Sequence, residues 1–417
     1  MKDLNVQSMN EQARAILRGN DRGGYTIPTA GLYPYQWNWD SAFAAFGFAQ
    51  FDVERAWLEL ETLFSGQWDN GMVPHILYHQ QDDGYFPGPE AWGTNGRVPS
   101  SGITQPPVAA TFARKTFEQD PELGAVKMQG LYARLLEWHR WFMEWRAESG
   151  AVCVIHPWES GRDNATDWDK ALANVDPGGI EPYERKDTSH VDASMRPTKY
   201  DYDRYMAIVK FGRDNGWDEA VIRDAGPFRV ADPTLSFILL RAHRDLRWLA
   251  DQLGKDTAEL DQWIARLEKG VELLWNAEIG SYDSRDLRTG EFSGSITSAS
   301  FLCWYGGVDD ARMLVPLNRV LEESTYAIPS LDPANAQFNA RRYWRGPIWA
   351  VVNTLIGLGL EETGHGEQAA KIRKDCRDLI GRNGFAEYFN PEDGSAAGGD
   401  AFSWTAAVWL AWIAREG

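Results

Sequence analysis

Apolar residues recur at helical spacing along nearly the whole chain, and no series of alternating runs is present from which a large sheet could be built. The clearest case is a stripe of Leu131, Leu135, Trp138, Trp141, Phe142 and Trp145 at i, i+3 and i+4 spacings, with Arg134, Glu137 and Arg140 off it. The same pattern predicts helices over residues 6–17, 41–51, 53–64, 107–118, 123–146, 202–215, 233–253, 257–275, 299–305, 309–322, 347–360, 366–380 and 403–414. Local signals support the boundaries: Asp232-Pro233 puts proline at a first helical position, and Gly254 closes the same helix. Short strands are expected near 152–155, 280–283 and 385–389, beside glycine-rich turns. They interrupt the helices without forming a βαβ series. With no Pro/Ser-rich linker or low-complexity tract, the chain reads as one all-α domain over residues 1–417. Long helix, loop, long helix repeats suggest paired hairpins, which can close into an α/α toroid.

Three long segments, 67–105, 155–197 and 324–343, fit no helix. Loops of that length inside a compact domain are usually lids or binding loops, and the first two are read as lids. They carry Trp68, His75, Tyr85, Trp92, Trp158, Asp163, His190 and Arg196 among Gly and Pro.

Charge narrows the partners. Forty-two Lys and Arg against 60 Asp and Glu leave −18, which argues against a nucleic acid or an anionic membrane surface. The longest apolar stretch, 348–360, is too short to span a bilayer, and the first twenty residues lack the apolar core of a secretory signal. Cys153, Cys303 and Cys376 are too widely spaced for a disulfide framework or a Cys-based zinc site. The expectation is a cytoplasmic protein acting on a small molecule without cofactor or metal, with room left for a homo-oligomer. His75 and His79 have a zinc-like i, i+4 spacing but lack a third ligand.

The chain holds 20 Trp, 15 Tyr and 18 Phe. Such residues either fill a helical core or offer flat faces to the C–H faces of sugars. Three clusters mix them with carboxylates. In Tyr33-Pro-Tyr35-Gln-Trp37-Asn-Trp39-Asp40, the carboxylate either caps the next helix or holds a ring. In His156-Pro-Trp158-Glu159-Ser160-Gly161-Arg162-Asp163-Asn164, followed by Asp167-Trp168-Asp169, the acids are either solvated turn residues or chemistry. In Phe385-Ala-Glu387-Tyr388-Phe389-Asn390-Pro391, Glu387 sits in an apolar strand, where it needs a salt-bridge partner or a raised pKa. Glycoside hydrolysis needs two such carboxyl groups, one as acid and one as base or nucleophile. No Gly-x-Ser-x-Gly elbow, phosphate loop or Rossmann fingerprint competes.

At these clusters the sequence resembles the inverting glycoside hydrolases of family 63, and within it the mannosylglycerate and glucosylglycerate hydrolases. The resemblance rests on Gly19-Asn20-Asp21-Arg22-Gly23-Gly24-Tyr25-Thr26, Tyr35-Gln36-Trp37-Asn38-Trp39-Asp40-Ser41, Trp158-Glu159-Ser160-Gly161-Arg162-Asp163-Asn164, Tyr343-Trp344-Arg345-Gly346-Pro347-Ile348-Trp349 and Glu387-Tyr388-Phe389-Asn390-Pro391. It implies an (α/α)6 toroid, Asp163 as general acid and Glu387 as general base. It further implies a glycone pocket of Trp37, Trp39, Asp40, Gln105, Gly161, Tyr343 and Trp344, with Tyr33 also among the substrate-binding residues. His75, Tyr85 and Tyr202 match positions that meet or cover the glycerate end. Arg162, Arg185 and Arg196 are candidates for the aglycone carboxylate, or else pair with Glu159, Asp187 or Asp192 in their own loops. Ala401-Phe402 departs from relatives that place a polar residue there. The alternatives kept open are a neutral α-glucosidase or trehalase-like hydrolase and, on the same toroid, a sugar epimerase.

Overall fold

The computed structural model describes residues 5–82, 84–189 and 191–415, so His190 lies outside the described residues. The helices along them are α1 (Val6–Asn20), α2 (Asn38–Phe48), α3 (Val53–Ser65), α4 (Pro89–Trp92), α5 (Ala109–Gln119), α6 (Pro121–Trp145), α7 (Asp169–Ala173) and α8 (Lys199–Asp214). They continue with α9 (Glu219–Ala225), α10 (Pro233–Gln252), α11 (Ala258–Gly270), α12 (Leu314–Glu323), α13 (Ala350–Glu362), α14 (Gly366–Asn383) and α15 (Ser403–Val408). Side-chain caps start several of them. Asp52, Asp120 and Asp232 each accept from the backbone N–H three residues on, and Pro121 and Pro233 occupy first-turn positions where no N–H is missed.

The packing order closes a ring. α2 packs on α5, α5 on α10, α10 on the 3-10 segment Ser298–Cys303, that segment on α13, α13 on α15, and α15 back on α2. Outside it, α3 and α6 lean on α2 and α5, α11 on α10, α14 on α13, and α1 on α15 and α2. α12 follows the 3-10 segment as the sixth outer member. This is the (α/α)6 toroid, and the burial pattern gives its physical cause. All of α2 and α15, and α13 from Ala350 to Leu360, are buried around their circumference, as an inner helix requires. Outer helices keep one apolar stripe: α14 buries Ala369, Ile372, Asp375, Cys376, Leu379 and Ile380 and exposes the rest to a varying degree.

Differences from the sequence expectation fall at element ends, at the segment expected as a helix over 299–305, which is the 3-10 turn Ser298–Cys303, and in short elements that were not expected. α2 begins at Asn38, so Asp40 sits inside its first turn, and the residue at the N-cap is Trp37, which makes no side-chain cap bond. Asp40 is therefore not the cap that one reading allowed. The last helix becomes a π-turn over Trp409–Ile413, and the single turn α4 and the short α9 have too few turns for periodicity to reveal. The strands are two residues long. Cys153–Val154 pairs with Val230–Ala231, which pairs with Arg285–Asp286, and Tyr388–Phe389 pairs with Ala396–Ala397, all antiparallel. No helix among the described residues is long and apolar enough to cross a membrane.

Candidate active site

The segments that enter the inner helices converge on one cleft of about 730 Å³ including its open mouth. Tyr33, Trp37, Trp39 and Asp40 come from the entry to α2, Gln105 from the approach to α5, Tyr343 from the approach to α13, and Glu387, Phe402 and Trp404 from around the start of α15. Gly161 and Asp163 come from the loop that follows Trp158, and His75, Tyr85, Arg196 and Tyr202 from the two long segments and α8. Two expected members do not border it. Trp344 is 1% exposed and stacks on Trp349 with ring centres 3.8 Å apart, behind Tyr343. Arg162 is fully buried beneath the loop.

Arg162 fails as a substrate contact because its guanidinium is consumed. It donates to both oxygens of Asp167 at 3.0 Å, to Asp232 at 3.0 Å and to Thr234 Oγ1 at 2.8 Å. These bonds pin the loop to the start of α10. Glu159 is buried too. It accepts from Ile155 N at 2.8 Å and from Arg146, which also binds Glu219 at 2.6 Å. The acidic residues of this motif are thus mostly interior partners of arginines, in place of the solvated turn that composition also allowed. Buried ions persist only when paired in this way.

What the knot leaves at the surface of the cleft is Asp163. No side-chain hydrogen bond from the described residues holds its carboxyl, and the Tyr205 hydroxyl donates to its backbone carbonyl at 2.7 Å. Burial raises its pKa to about 7, Arg196 opposes the rise and Glu387 adds to it. Gly161 makes this approach possible. Its φ is +70°, and a Cβ there would lie 2.5 Å from the Trp39 ring.

Glu387 is 1% exposed and has no salt bridge among the described residues. Its Oε1 accepts from Tyr33 OH at 3.1 Å and Tyr343 OH at 3.4 Å, and its Oε2 from Gly399 N at 2.8 Å. Burial pushes its pKa up, while Arg196, the Gly399 N–H and the two hydroxyls pull toward the ionised form. Gly398, at φ +75°, is required here: a Cβ would stand 2.3 Å from Glu387 Oε2.

Asp40 bonds to no other side chain among the described residues, and burial together with Glu387 and Asp163 pushes its pKa well above the carboxylate range. It is free to bond ring hydroxyls. Trp39 N donates to Gln105 Oε1 at 3.2 Å, which aims the remaining amide. Tyr33 and Tyr85 meet the Trp37 ring edge-on at 5.3 Å. His75 is held through Nδ1 by Ser101 Oγ at 3.0 Å, and burial keeps it neutral. His79 instead bonds Gln36 Oε1 at 2.7 Å, so the two histidines have separate partners.

Several cleft residues escaped the sequence reading as contacts: Phe86, Trp158, Asp187 and Trp404. Trp158 and Trp404 lay inside or beside quoted motifs, and their neighbourhood was the available signal. Phe86 and Asp187 sit in aperiodic segments that carry none. Arg185 pairs with Asp187, as does Arg196, which also lines the cleft. The two long segments touch through Phe86 and Tyr183, stacked at 5.4 Å, and Tyr183 stacks on Tyr202 at 5.5 Å.

Residues 33–405 match the family model described as the mannosylglycerate hydrolase MGH1-like glycoside hydrolase domain. The mannosylglycerate hydrolase MGH1 of Selaginella moellendorffii is 46% identical over 414 residues, covering 97% of this chain and 85% of that protein. The glucosylglycerate hydrolase of Mycolicibacterium hassiacum is 36% identical, covering 96% and 97%. The crystal structure of the family 63 mannosylglycerate hydrolase from Thermus thermophilus in complex with Tris and D-glycerate superposes with a TM-score of 0.94 at 43% identity, over 97% of this chain and 99% of that one. The match spans both carboxylates and every segment entering an inner helix of the ring, and the chain belongs to the mannosylglycerate hydrolase MGH1-like family of glycoside hydrolases.

Proposed function

We propose that this chain hydrolyses an α-linked hexosylglycerate, mannosylglycerate or glucosylglycerate, with inversion, releasing hexose and glycerate. The observation that carries the reading is one cleft in which Glu387 accepts three hydrogen bonds and the Asp163 carboxyl accepts none from the described side chains, beside the Arg196 guanidinium. Asp163, with a pKa near 7, retains the proton that the glycosidic oxygen must receive as its bond to the anomeric carbon breaks. Glu387, surrounded by three donors, takes a proton from the water that attacks the opposite face of the ring. Burial raises both carboxyl groups, and the three donors on Glu387, with none on the Asp163 carboxyl among the described side chains, mark which of the two is the base. Trp37, Trp39, Asp40, Gln105, Gly161 and Tyr343 hold the glycone, and His75, Tyr85, Tyr202 and Arg196 the glycerate.

Arg196 is the cation suited to the aglycone carboxylate. Its Nε is bound to Asp187 and its Nη1 to Tyr33 OH at 3.1 Å, and its Nη2 has no protein partner among the described residues. The net charge of −18 repels an anion at long range, so affinity for glycerate depends on this local group. The chain acts as a single domain, with residues 67–105 and 155–197 as lids over the cleft. Three free, buried cysteines suit a reducing, cytoplasmic setting. The test is a panel of pure glycosides. Glycerate should be preferred over glycerol as aglycone by about 1.5–3 kcal/mol in kcat/KM, the worth of a charged hydrogen bond. A preference for trehalose or kojibiose would reject the reading.

A further inference from the structure

We propose that Asp187 is a positioning residue that sets specificity: it orients the Arg196 guanidinium toward the aglycone carboxylate, an inference that rests on the hexosylglycerate reading above. Asp187 is the centre of a small knot in the second long segment. Arg185 donates to it from Nε at 3.0 Å and Nη2 at 2.6 Å, and Arg196 donates from Nε at 3.0 Å. Arg185 closes the knot by donating from Nη1 to the Pro197 carbonyl at 2.6 Å, and it lies 4.4 Å from the Tyr202 ring centre. One carboxylate thus ties Arg185 to Arg196 near the C-terminal end of a segment that has no long helix of its own.

The consequence falls on Arg196. With Nε on Asp187 and Nη1 on Tyr33 OH, the plane of the guanidinium is fixed by two bonds, 4.2 Å from the Tyr343 ring centre. Nη2 is left as the edge without a protein partner among the described residues, on a side chain that lines the cleft. An arginine chain loses much rotamer freedom on ordering, and a bond that orders it beforehand removes that cost from substrate binding.

Charge and positioning make opposite demands. Asp187 also lines the cleft, so its negative charge opposes an incoming carboxylate. If charge alone mattered, Asp187→Asn would improve the use of an anionic substrate. If positioning dominates, the same change frees Arg196 and the preference for glycerate falls. The sign of the effect separates the two.

The experiment uses the full chain and measures kcat and KM on hexosylglycerate and on the corresponding hexosylglycerol. It compares wild type, Asp187→Asn, Asp187→Glu, Arg196→Gln and the Asp187→Asn/Arg196→Gln double variant. The quantity read is the ratio of kcat/KM on the two substrates, which a general loss of folded protein does not move. Asp187→Asn is expected to lower that ratio at least tenfold, chiefly through KM on the glycerate substrate, and Asp187→Glu to restore part of it. In the Arg196→Gln background, Asp187→Asn should no longer lower the ratio, because the positioning effect acts through Arg196 and only the relief of charge repulsion remains; a further fall there overturns the positioning role. A wild-type preference that survives or rises in Asp187→Asn overturns the positioning role alone. A wild type that shows no preference overturns the substrate reading, and this inference with it.

Discussion

Replacing Asp163 by Asn removes the proton donor while preserving volume, and its effect on stability has a sign opposite to its effect on activity. The folded-state pKa is about 7 against an ordinary value of 3.8, raised mainly by burial. The folded protein therefore holds this proton over a range where the unfolded chain has released it, and stability falls as pH rises from about 4 through 7. At about 1.36 kcal/mol per pH unit, the full penalty above pH 7 is about 4 kcal/mol, an upper bound because the carboxyl borders an open cleft. Asn carries no such penalty. Its advantage over the wild type should widen by about 2 kcal/mol between pH 5.5 and 8, or about 2 °C in Tm for a chain of 417 residues. Turnover should fall by roughly 10²–10⁴. Paired thermal scans of the two proteins at pH 5.5 and 8, with initial rates on hexosylglycerate, check both halves. A stability difference that is flat with pH would refute the raised pKa, and turnover within tenfold of wild type would refute the role of acid.

Glu387→Gln should also lose roughly 10²–10⁴ in kcat with binding largely retained. NMR of the first-formed hexose on the wild type should show the inverted anomer, and a retained configuration would rule out a water-activating Glu387. Gly398→Ala would bring a Cβ to 2.3 Å from Glu387 Oε2 at a φ of +75°, so kcat should drop at least tenfold while circular dichroism stays near wild type. Arg146→Met strands the buried Glu159 and Glu219; a loss of about 3–5 kcal/mol is expected in denaturant titration, and a loss under 1 kcal/mol would show that the pair relaxes. Backbone hydrogen exchange in residues 67–92 and 175–196 should slow when glycerate is added, and equal rates would count against lids.

Much of the architecture was legible in local pattern. Apolar spacing and proline or aspartate caps report on a few consecutive turns, so α3, α6, α10 and α14 appear in the sequence within a few residues of their ends. The motif residues Asp163 and Glu387, and the aromatic cluster from Tyr33 to Asp40, were also visible as carboxylates set among aromatic residues, but composition alone left ion-pairing roles open, as Glu159 and Asp167 in fact adopt, and the resemblance singled out Asp163 and Glu387. Local pattern could not assign the arginines. Arg162 stands next to the acid in sequence, yet Asp232 and Thr234 at the start of α10 take its guanidinium inward. Arg196, in a segment with no periodicity, is instead turned to the cleft by Asp187 and Tyr33. Trp344 and Tyr343 are adjacent, and only the stacking of Trp344 on Trp349 decides which of the two borders the cleft. Helical spacing is a property of neighbours along the chain, whereas the partner of a buried charge is set by whichever element the closed ring brings against it, and that is decided only in the tertiary structure.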